Sequence, residues 1–318
     1  MELRQLRSLI ALVEADFNVS RAATRLSLVQ PAVSQHLKSL EEELGVPLVQ
    51  RHGKRLLGLT PAGDQVLQHA RATLAGAANI LAISRDQRGD SRGILRIGTT
   101  HAQARYVLPP LINRFRVAFP EVEIQLHQAT PNQLVVMLQQ DAVDLAICTE
   151  AIGHHPDLIS SPCYRWNRCL IAPQSHPLLV VRPISLELLG SQPLVTYVHG
   201  FTGRGHFSDA FAREGMRPRV TVSAADADVI KTYVREGFGI GIIADLAYDP
   251  QLDQDLDRRN LSHLFPWEVT RMAQARSKHP RVFQRAFMEL FQREAASLVR
   301  ERQRVLSEGA RGEDFGNP

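Results

Sequence analysis

The chain has 318 residues, of which 44% are hydrophobic and 22% are charged, a balance that is ordinary for folded proteins. Its length exceeds that of one usual domain, so two or three folded units are expected. A net charge of +4 permits a nucleic-acid partner without requiring one, and no apolar run approaches the roughly 20 residues that a membrane-spanning helix needs.

The opening segment, "MELRQLRSLIALVEADF", is amphipathic and carries charges along its length. A secretory signal has an unbroken apolar stretch instead. The three cysteines, Cys148, Cys163 and Cys169, are an odd number, which does not suit a disulfide framework. We therefore expect reduced thiols in a cytoplasmic protein.

Two helices that flank a short turn are predicted in "NVSRAATRLSLVQPAVSQHLKSLEEELGVPL". Ser20 is a good N-cap for the first helix, Pro31 fits the first turn of the second, and Gly45 ends it. The second helix repeats apolar residues with the helical period, at Val33, Leu37, Leu40 and Leu44. This stripe is expected to pack, which leaves the opposite face free to enter a DNA groove.

The opposite face carries small and amide side chains, which suit close approach to base edges. Gln35 can bind adenine through two hydrogen bonds, and Lys38 can contact guanine or phosphate. The following "VQRHGKRLLGLT" predicts a basic hairpin around Gly53, typical of a wing that holds phosphates. The predicted DNA contacts are Gln30, Pro31, Ser34, Gln35, Lys38, Arg51 and Lys54. An ordinary helical pair with a solvated basic turn is the alternative.

This segment resembles the N-terminal winged helix-turn-helix of LysR-type transcriptional regulators. Spacing and residue type match "AA..L..VQPAVS.HLK.LE.ELG..L..R....L.LTPAG" from Ala22 through Gly63. We expect the DNA-binding domain at residues 1–60, followed by a linker helix at 61–88 that begins at Thr60 and Pro61. The resemblance implies that this helix pairs with the same helix of a second subunit. Packing onto its own domain is the alternative.

After the polar "QRGDSRG", strand-like and helix-like pieces alternate as "ILRIG", "LPPLINRFRVAF", "VEIQLHQ", "TPNQLVVMLQQ" and "DLAIC". This βαβαβ order predicts an α/β fold with a parallel, doubly wound sheet and a ligand site at the C-terminal ends of its strands. We expect an effector domain at 93–293, with subdomain I at about 93–163 and 267–293 and subdomain II at about 164–266. A C-terminal helix is expected to close onto subdomain I, and a mobile tail is expected at 305–318.

Polar side chains follow several of these strands. Thr100 and Gln103 come after "ILRIG", where the start of a helix would attract an anion. Thr149 follows "DLAIC", and Thr202 leads from a strand into a helix in "LVTYVHGFTGRGH". These four side chains offer neutral hydrogen bonds that suit a small oxyanion or a polar amino-acid derivative. A helix N-cap is the alternative role for each threonine.

The stretches "TTHAQARYVLPP", "TEA", "CYRWNR", "GFTGR" and "DADVIKTYVREGFGIGIIA" resemble the effector domain of the cysteine-regulon (CysB-type) subgroup of the LysR family. The resemblance implies a periplasmic-binding-protein-like domain that binds sulfate, thiosulfate or an acetylserine-type effector and controls genes of sulfur assimilation and cysteine biosynthesis. The effector-site residues that it implies are Thr100, Ala102, Gln103, Thr149 and Thr202. Ala102 departs from the subgroup, which usually has a threonine hydroxyl there.

The motifs of common enzymes and cofactor sites are missing from the sequence. The chain has no GxSxG elbow and no P-loop. "GFGIGI" runs from a helix into a strand, the reverse of a dinucleotide-binding loop, so close packing explains its glycines better. The adjacent His154 and His155 indicate a surface loop. We therefore predict no enzyme activity, no metal and no cofactor.

Together these patterns predict a LysR-type regulator that binds double-stranded promoter DNA and a small effector. We expect a homotetramer built as a dimer of dimers, and a contact with RNA polymerase. Effector binding is expected to close the cleft and to change subunit geometry and the DNA bend. The alternatives are a LysR-type regulator of another pathway that senses an organic acid, a solute-binding module, and an enzyme.

Overall fold

The structure, a computed structural model, describes residues 1–53, 55–89, 91–153, 155–200 and 204–309. The chain forms two compact units. The first comprises Met1–Asp90 and Ser277–Pro280, and the second comprises Ser91–Arg276 and the chain from Arg281 onward.

The first unit is a winged helix-turn-helix followed by a long helix. Its elements are α1 (Leu3–Glu14), α2 (Val19–Arg25), α3 (Gln30–Leu44), β1 (Val49–His52), β2 (Arg55–Leu59) and α4 (Pro61–Gln87). β1 and β2 pair antiparallel, as the hairpin pattern predicts. Among the described helices, none is long and apolar enough to cross a membrane.

Local sequence signals set the ends of these helices. Pro31 lies in the first turn of α3, and Gly45 ends that helix with a φ of 70°, a conformation that favours glycine. Thr60 caps α4 by accepting a hydrogen bond from the backbone of its first turn. The predicted cap of α2 is wrong: Asn18 accepts the capping hydrogen bond, because the helix begins before Ser20.

The apolar stripes of α3 and α4 are buried over only part of their length. Val33, Leu37 and Leu40 are buried, whereas Leu44, in the last turn of α3, is 38% exposed. Leu67 and Ala70 of α4 are buried in the same core. Further along α4, Leu81 is 57% exposed, so the first unit covers only the beginning of this helix.

The second unit contains two five-stranded sheets. Its strands are β3 (Gly93–Thr99), β4 (Val122–Gln128), β5 (Leu145–Cys148), β6 (Leu158–Trp166), β7 (Arg168–Pro173), β8 (Leu194–Tyr197), β9 (Val220–Ala224), β10 (Ile240–Ala244), β11 (Leu256–Asn260) and β12 (Glu268–Ala275). Its α-helices are α5 (His101–Tyr106), α6 (Leu108–Ala118), α7 (Pro131–Gln139), α8 (Leu186–Gly190), α9 (Arg204–Arg213), α10 (Ala227–Arg235) and α11 (Val282–Gly309), with 3-10 turns at Pro177–Leu179 and Asp245–Ala247. The first sheet has the order β4-β3-β5-β12-β6 and the second β11-β7-β10-β8-β9.

Both sheets combine parallel and antiparallel strands. β3 is parallel to β4 and β5, and β8 is parallel to β9 and β10, which confirms the predicted α/β fold. The sheets are not wholly parallel, because β12 and β7, which carry the chain from one sheet to the other, run antiparallel to their neighbours. The first change of sheet falls at Asn167, beyond the expected boundary near 163, because β6 continues to Trp166.

The C-terminal helix α11 is longer than the sequence predicts. Its buried side chains recur every four residues, at Phe283, Phe287, Phe291, Ala295 and Val299. The helix packs on α6 and β6 beside the first sheet and on the turn Asp245–Ala247 beside the second. It includes residues 305–309, which the sequence assigns to a tail. Residues 310–318 lie outside the described residues, so the mobility of a tail stays a prediction.

The glycines of "GFGIGI" allow close packing at the entry to β10, as the sequence predicts. Gly239 has a φ of +142°, and a Cβ placed on it would lie 2.0 Å from the carbonyl oxygen of Pro193. A Cβ on Gly241 would lie 2.5 Å from Cγ1 of Ile171. Both positions therefore require glycine for β10 to pair with β8 and β7.

We expect Gly239→Ala to destabilise the second unit by about 1–3 kcal/mol, because overpacking a close contact forces the backbone to shift. Urea unfolding followed by fluorescence would measure the loss. Gly205→Ala on α9 is the matched control, since among the described residues no heavy atom lies within 4 Å of its added Cβ. Equal unfolding midpoints for the two variants would contradict the expected strain.

Candidate DNA interface and effector site

The side chains predicted to contact DNA are exposed. These are Gln30, Pro31, Ser34, Gln35 and Lys38 on α3 and Arg51 on β1; the predicted Lys54 lies outside the described residues. Gln35 donates a hydrogen bond to Ser39, and Lys38 lies 3.5 Å from Glu42. Exposed contacts of this kind contribute little stability, so DNA can replace them at low cost.

Glu41 connects α3 to the wing. Its carboxylate accepts hydrogen bonds from the N–H groups of Leu48 and Val49 and lies 2.8 Å from the guanidinium of Arg51. A guanidinium has five N–H donors, so Arg51 can hold Glu41 and still reach a phosphate. Sequence reasoning missed Glu41, although an acidic run just before a basic hairpin was an available signal.

Thr100 and Thr149 leave the first sheet at the same edge. β3 and β5 are parallel neighbours, with Thr99 opposite Ile147. Thr100 is 7% exposed and precedes α5. Among the described residues it makes no side-chain capping hydrogen bond. Its hydroxyl therefore does not cap α5, the alternative role that the sequence leaves open.

Gln103 and Thr149 belong to a cluster of uncharged polar side chains, the polar cluster, which also contains Tyr164, Trp166 and Thr270. The hydroxyl of Tyr164 donates to Oε1 of Gln103. Nε1 of Trp166 donates to Oγ1 of Thr149 at 3.2 Å. The hydroxyls of Thr149 and Thr270 lie 3.4 Å apart. Burial raises the pKa of Tyr164, so its hydroxyl stays protonated at neutral pH.

The two remaining residues that the resemblance implies for this site, Ala102 and Thr202, are not part of the polar cluster as the structure describes it. Ala102 is 5% exposed and packs in the hydrophobic core of the unit. Because Ala102 and Gln103 are adjacent on α5, the helix directs them to different surroundings. Thr202 lies outside the described residues.

Sequence reasoning did not single out the three other members of the polar cluster. Tyr164 and Trp166 are two residues apart on β6, which places them on one face of the sheet; this alternation was the available signal. Thr270 lies opposite Tyr164 on β12. More than a hundred residues of sequence separate Thr270 from Tyr164, so no local pattern predicts that they pair.

A buried ion pair lies beside the polar cluster. Arg168 and Glu268 are 2% and 3% exposed, and Nη2 of Arg168 donates to Oε1 of Glu268 at 2.6 Å. The guanidinium lies 5.6 Å from the ring centroid of Trp166. Nδ1 of His206 on α9 lies 3.0 Å from the same carboxylate. The pair therefore links the polar cluster to a helix beside the second sheet.

The helix-turn-helix and the domain with two sheets both match one known family. The LysR substrate binding domain matches residues 88–296, and the bacterial regulatory helix-turn-helix protein, lysR family, matches residues 3–64. The chain belongs to the LysR family of transcriptional regulators.

Individual relatives agree with this assignment over nearly the whole chain. The HTH-type transcriptional regulator CysB of Haemophilus influenzae is 43% identical over 92% of this chain and 90% of its own length. The HTH-type transcriptional regulator SsuR of Burkholderia cenocepacia is 39% identical over 95% and 99%. The cofactor-binding domain of the Cbl transcriptional regulator has a TM-score of 0.62 and 39% identity, covering 67% of this chain and 94% of that structure. These relatives are regulators, so the alternative prediction of an enzyme is wrong.

Two of the three thiols of this LysR-type regulator, at Cys148 and Cys169, are buried, and the third, at Cys163, is half-buried. None of them, at Cys148, Cys163 or Cys169 within the described ranges, forms a disulfide. Burial raises the pKa of Cys148 and Cys169 to about 12 and that of Cys163 to about 11. Since the thiolate is the reactive form, these raised pKa values make the three thiols poor nucleophiles at neutral pH.

A buried carboxylate lies where α11 meets the second sheet of the regulator. Asp245 accepts hydrogen bonds from Nε2 of Gln303 at 2.9 Å and from the N–H of Leu246 at 2.7 Å. Burial outweighs these hydrogen bonds and raises the pKa of Asp245 to about 6. An unfolded aspartate titrates near 3.9, so the folded protein holds an extra proton between these two values.

We therefore expect Asp245 to make stability fall as the pH rises through the window from about 4 to about 6. Asp245→Asn removes this titration, and the amide of Gln303 can turn to bind the new side chain. The variant should be on the order of 2 kcal/mol more stable than the wild type at pH 8 and nearly equal to it at pH 4. Denaturant unfolding at both pH values, with the exposed Asp257→Asn as control, measures the difference. A stability difference that does not change with pH would contradict the expectation.

Proposed function

We propose that this LysR-type regulator controls sulfur-assimilation and cysteine-biosynthesis genes in response to sulfate, thiosulfate or an acetylserine-type effector. The polar cluster beside Thr100 is the observation that carries the proposal. Hydroxyl and amide groups without charge bind an oxyanion reversibly, as a sensor requires. Because α5 has only six residues, we ascribe recognition to Thr100, Gln103, Thr149 and Thr202 and not to the helix dipole.

The names and identities of the relatives support the same pathway. CysB and SsuR cover more than nine-tenths of this chain, and the sequence resembles the cysteine-regulon subgroup in both units. Ala102 favours a second candidate, a LysR-type regulator that senses an organic acid, since its methyl group lies in the core and offers no hydrogen bond.

DNA recognition is proposed to follow the exposed face of α3. Ser34, Gln35 and Lys38 would read base edges in the major groove, while Arg51 and Lys54 would hold phosphates. The exposed part of α4 around Leu81 would pair with the same helix of a second subunit. Two such dimers would form a cytoplasmic tetramer, and effector-dependent changes in DNA bending would alter a contact with RNA polymerase.

Calorimetric titration of the full chain tests the effector. We expect saturable binding of at least one of sulfate, thiosulfate, O-acetylserine, N-acetylserine and adenosine phosphosulfate. Thr100→Ala and Thr202→Ala should each weaken that binding about tenfold or more, the effect of losing one hydrogen bond to a charged ligand. Thr73→Ala on α4, whose hydroxyl donates to the carbonyl of His69 in the same helix, is the control.

A wild-type protein that binds none of the five compounds would contradict the sulfur-effector proposal. Titration with a panel of dicarboxylates would then test the organic-acid alternative. Equal binding by Thr100→Ala and the wild type would place the effector elsewhere.

The DNA interface is tested with a duplex that the wild-type protein selects from a random library. Gln35→Ala should lose about 1–3 kcal/mol of discrimination at one base pair. Lys38→Ala should reduce the slope of log affinity against log salt by about one if it contacts a phosphate. Arg85→Ala, in the last turn of α4, is the control, because it removes one positive charge as Lys38→Ala does. Unchanged specificity and salt slope in both α3 variants would contradict the assignment of this face.

A further inference from the structure

The short helix α5 contacts two different parts of the second unit. Gln103 belongs to the polar cluster, where its Oε1 accepts a hydrogen bond from Tyr164. Three other side chains of α5, those of His101, Arg105 and Tyr106, contact the carboxylate of Asp228 on α10. α5 follows β3 of the first sheet and α10 follows β9 of the second, so this carboxylate connects the two sheets.

The contacts to Asp228 are short and involve both carboxylate oxygens. Nε2 of His101 and Nε of Arg105 lie 2.8 Å and 2.9 Å from Oδ2. The hydroxyl of Tyr106 donates to Oδ1 at 2.8 Å. Desolvation opposes ionisation of Asp228, but the hydrogen bonds from His101 and Tyr106 and the charges of Arg105 and Lys231 together outweigh it and hold the pKa of this carboxyl below its usual range. The carboxylate is therefore charged and held by three donors of one helix.

Cations from two further positions surround the ring of Tyr106. Nζ of Lys231 lies 5.4 Å from the ring centroid, and the guanidinium of Arg302 on α11 lies 5.3 Å from it. Lys231 is 4% exposed in its side chain and pairs with the buried Asp253 at 2.6 Å. Both distances suit cation–π attraction. Tyr106 is thus the point where α5, α10 and α11 meet.

A metal ion is a poor occupant of this cluster. His101, Asp226 and Asp228 do bring possible ligand atoms within 4.8 Å of one another. However, the guanidinium of Arg105 already neutralises Asp228, and Lys231 lies 4.0 Å from it. A further positive charge would be repelled there.

We infer that Asp228 is a positioning residue for the effector, because it holds α5, and with it Thr100 and Gln103, in a fixed place relative to the second sheet. This inference rests on the proposed effector site. When a ligand binds only one arrangement of a protein, its apparent affinity falls with the population of that arrangement. Loss of the Asp228 contacts thus weakens effector binding without removing any group that touches the effector.

A distance measurement without effector tests the positioning itself. Nitroxide labels at Gln140→Cys, after α7, and Arg213→Cys, at the end of α9, report on the two halves of the unit. Both wild-type side chains are exposed, Cys163→Ser removes the half-buried thiol, and dilution with unlabelled protein suppresses pairs between subunits. Asp228→Asn should broaden the distance distribution and lengthen its mean.

Asp226→Asn is the matched control for charge and for the helix start. Asp226 caps α10 by accepting the N–H of Val229, and asparagine caps a helix as well as aspartate does. This variant loses the same charge two residues away and should keep the wild-type distribution. A distribution for Asp228→Asn that matches the wild type would overturn the inference.

Calorimetry with the same five compounds, sulfate, thiosulfate, O-acetylserine, N-acetylserine and adenosine phosphosulfate, tests the consequence for the effector. Asp228→Asn should bind about 5- to 50-fold more weakly than the wild type, within the usual range of coupling between two sites, while Asp226→Asn binds as the wild type does. Tyr106→Phe removes a single hydroxyl and should give a smaller loss. The double variant should lose less than the sum of the two single losses, since the hydroxyl that Tyr106→Phe removes donates to the carboxylate that Asp228→Asn neutralises.

The two possible failures can be told apart. If none of the five compounds binds the wild type, the proposed effector class fails, and the label distances still decide whether Asp228 holds α5. If the wild type binds and Asp228→Asn binds equally well, the inference is overturned and the proposed function stands. Additive losses for Tyr106→Phe and Asp228→Asn would also overturn it, because they would show two independent structural effects.

Discussion

Arg168 and Glu268 are the first residues of β7 and β12, the two strands by which the chain passes between the sheets. Both side chains are almost wholly buried, and each is the charged partner of the other. Removing one partner of such a pair leaves an unpaired charge in the interior, at a cost of about 3–5 kcal/mol. The pair therefore joins the two places where the chain passes between the sheets, and the arrangement of the two sheets depends on it.

The polar cluster is built against this pair. The guanidinium of Arg168 lies near the ring of Trp166, and the indole N–H of Trp166 holds the hydroxyl of Thr149. The contacts of Asp228 with α5 and of α11 with the turn at Asp245 also join the halves of the unit. Residues that would touch an effector thus share contacts with residues that set the arrangement of the sheets, which is the condition for a ligand to shift that arrangement.

Local patterns predicted most of the secondary structure. Pro31, Gly45 and Thr60 act on their own turn of backbone, so their effect can be read from a few neighbouring residues. The error at Ser20 arose because Asn18 is an equally good cap two residues earlier. The fold class followed from the order of strands and helices, whereas the antiparallel strands β7 and β12 were missed, because pairing between strands that are far apart in the sequence has no local signature.

The sequence by itself determined the winged helix-turn-helix, the α/β class of the second unit, the close packing of Gly239, and the placement of Thr100 and Thr149 at the ends of strands. Only the tertiary structure decided which side chains meet there. Tyr164 lies 61 residues from Gln103, and Asp228 lies 127 residues from His101. Helical and strand periods report which face of an element is apolar. Which residues meet on a polar face depends on which distant segments of the chain pack against it. The packing of the whole unit sets that choice.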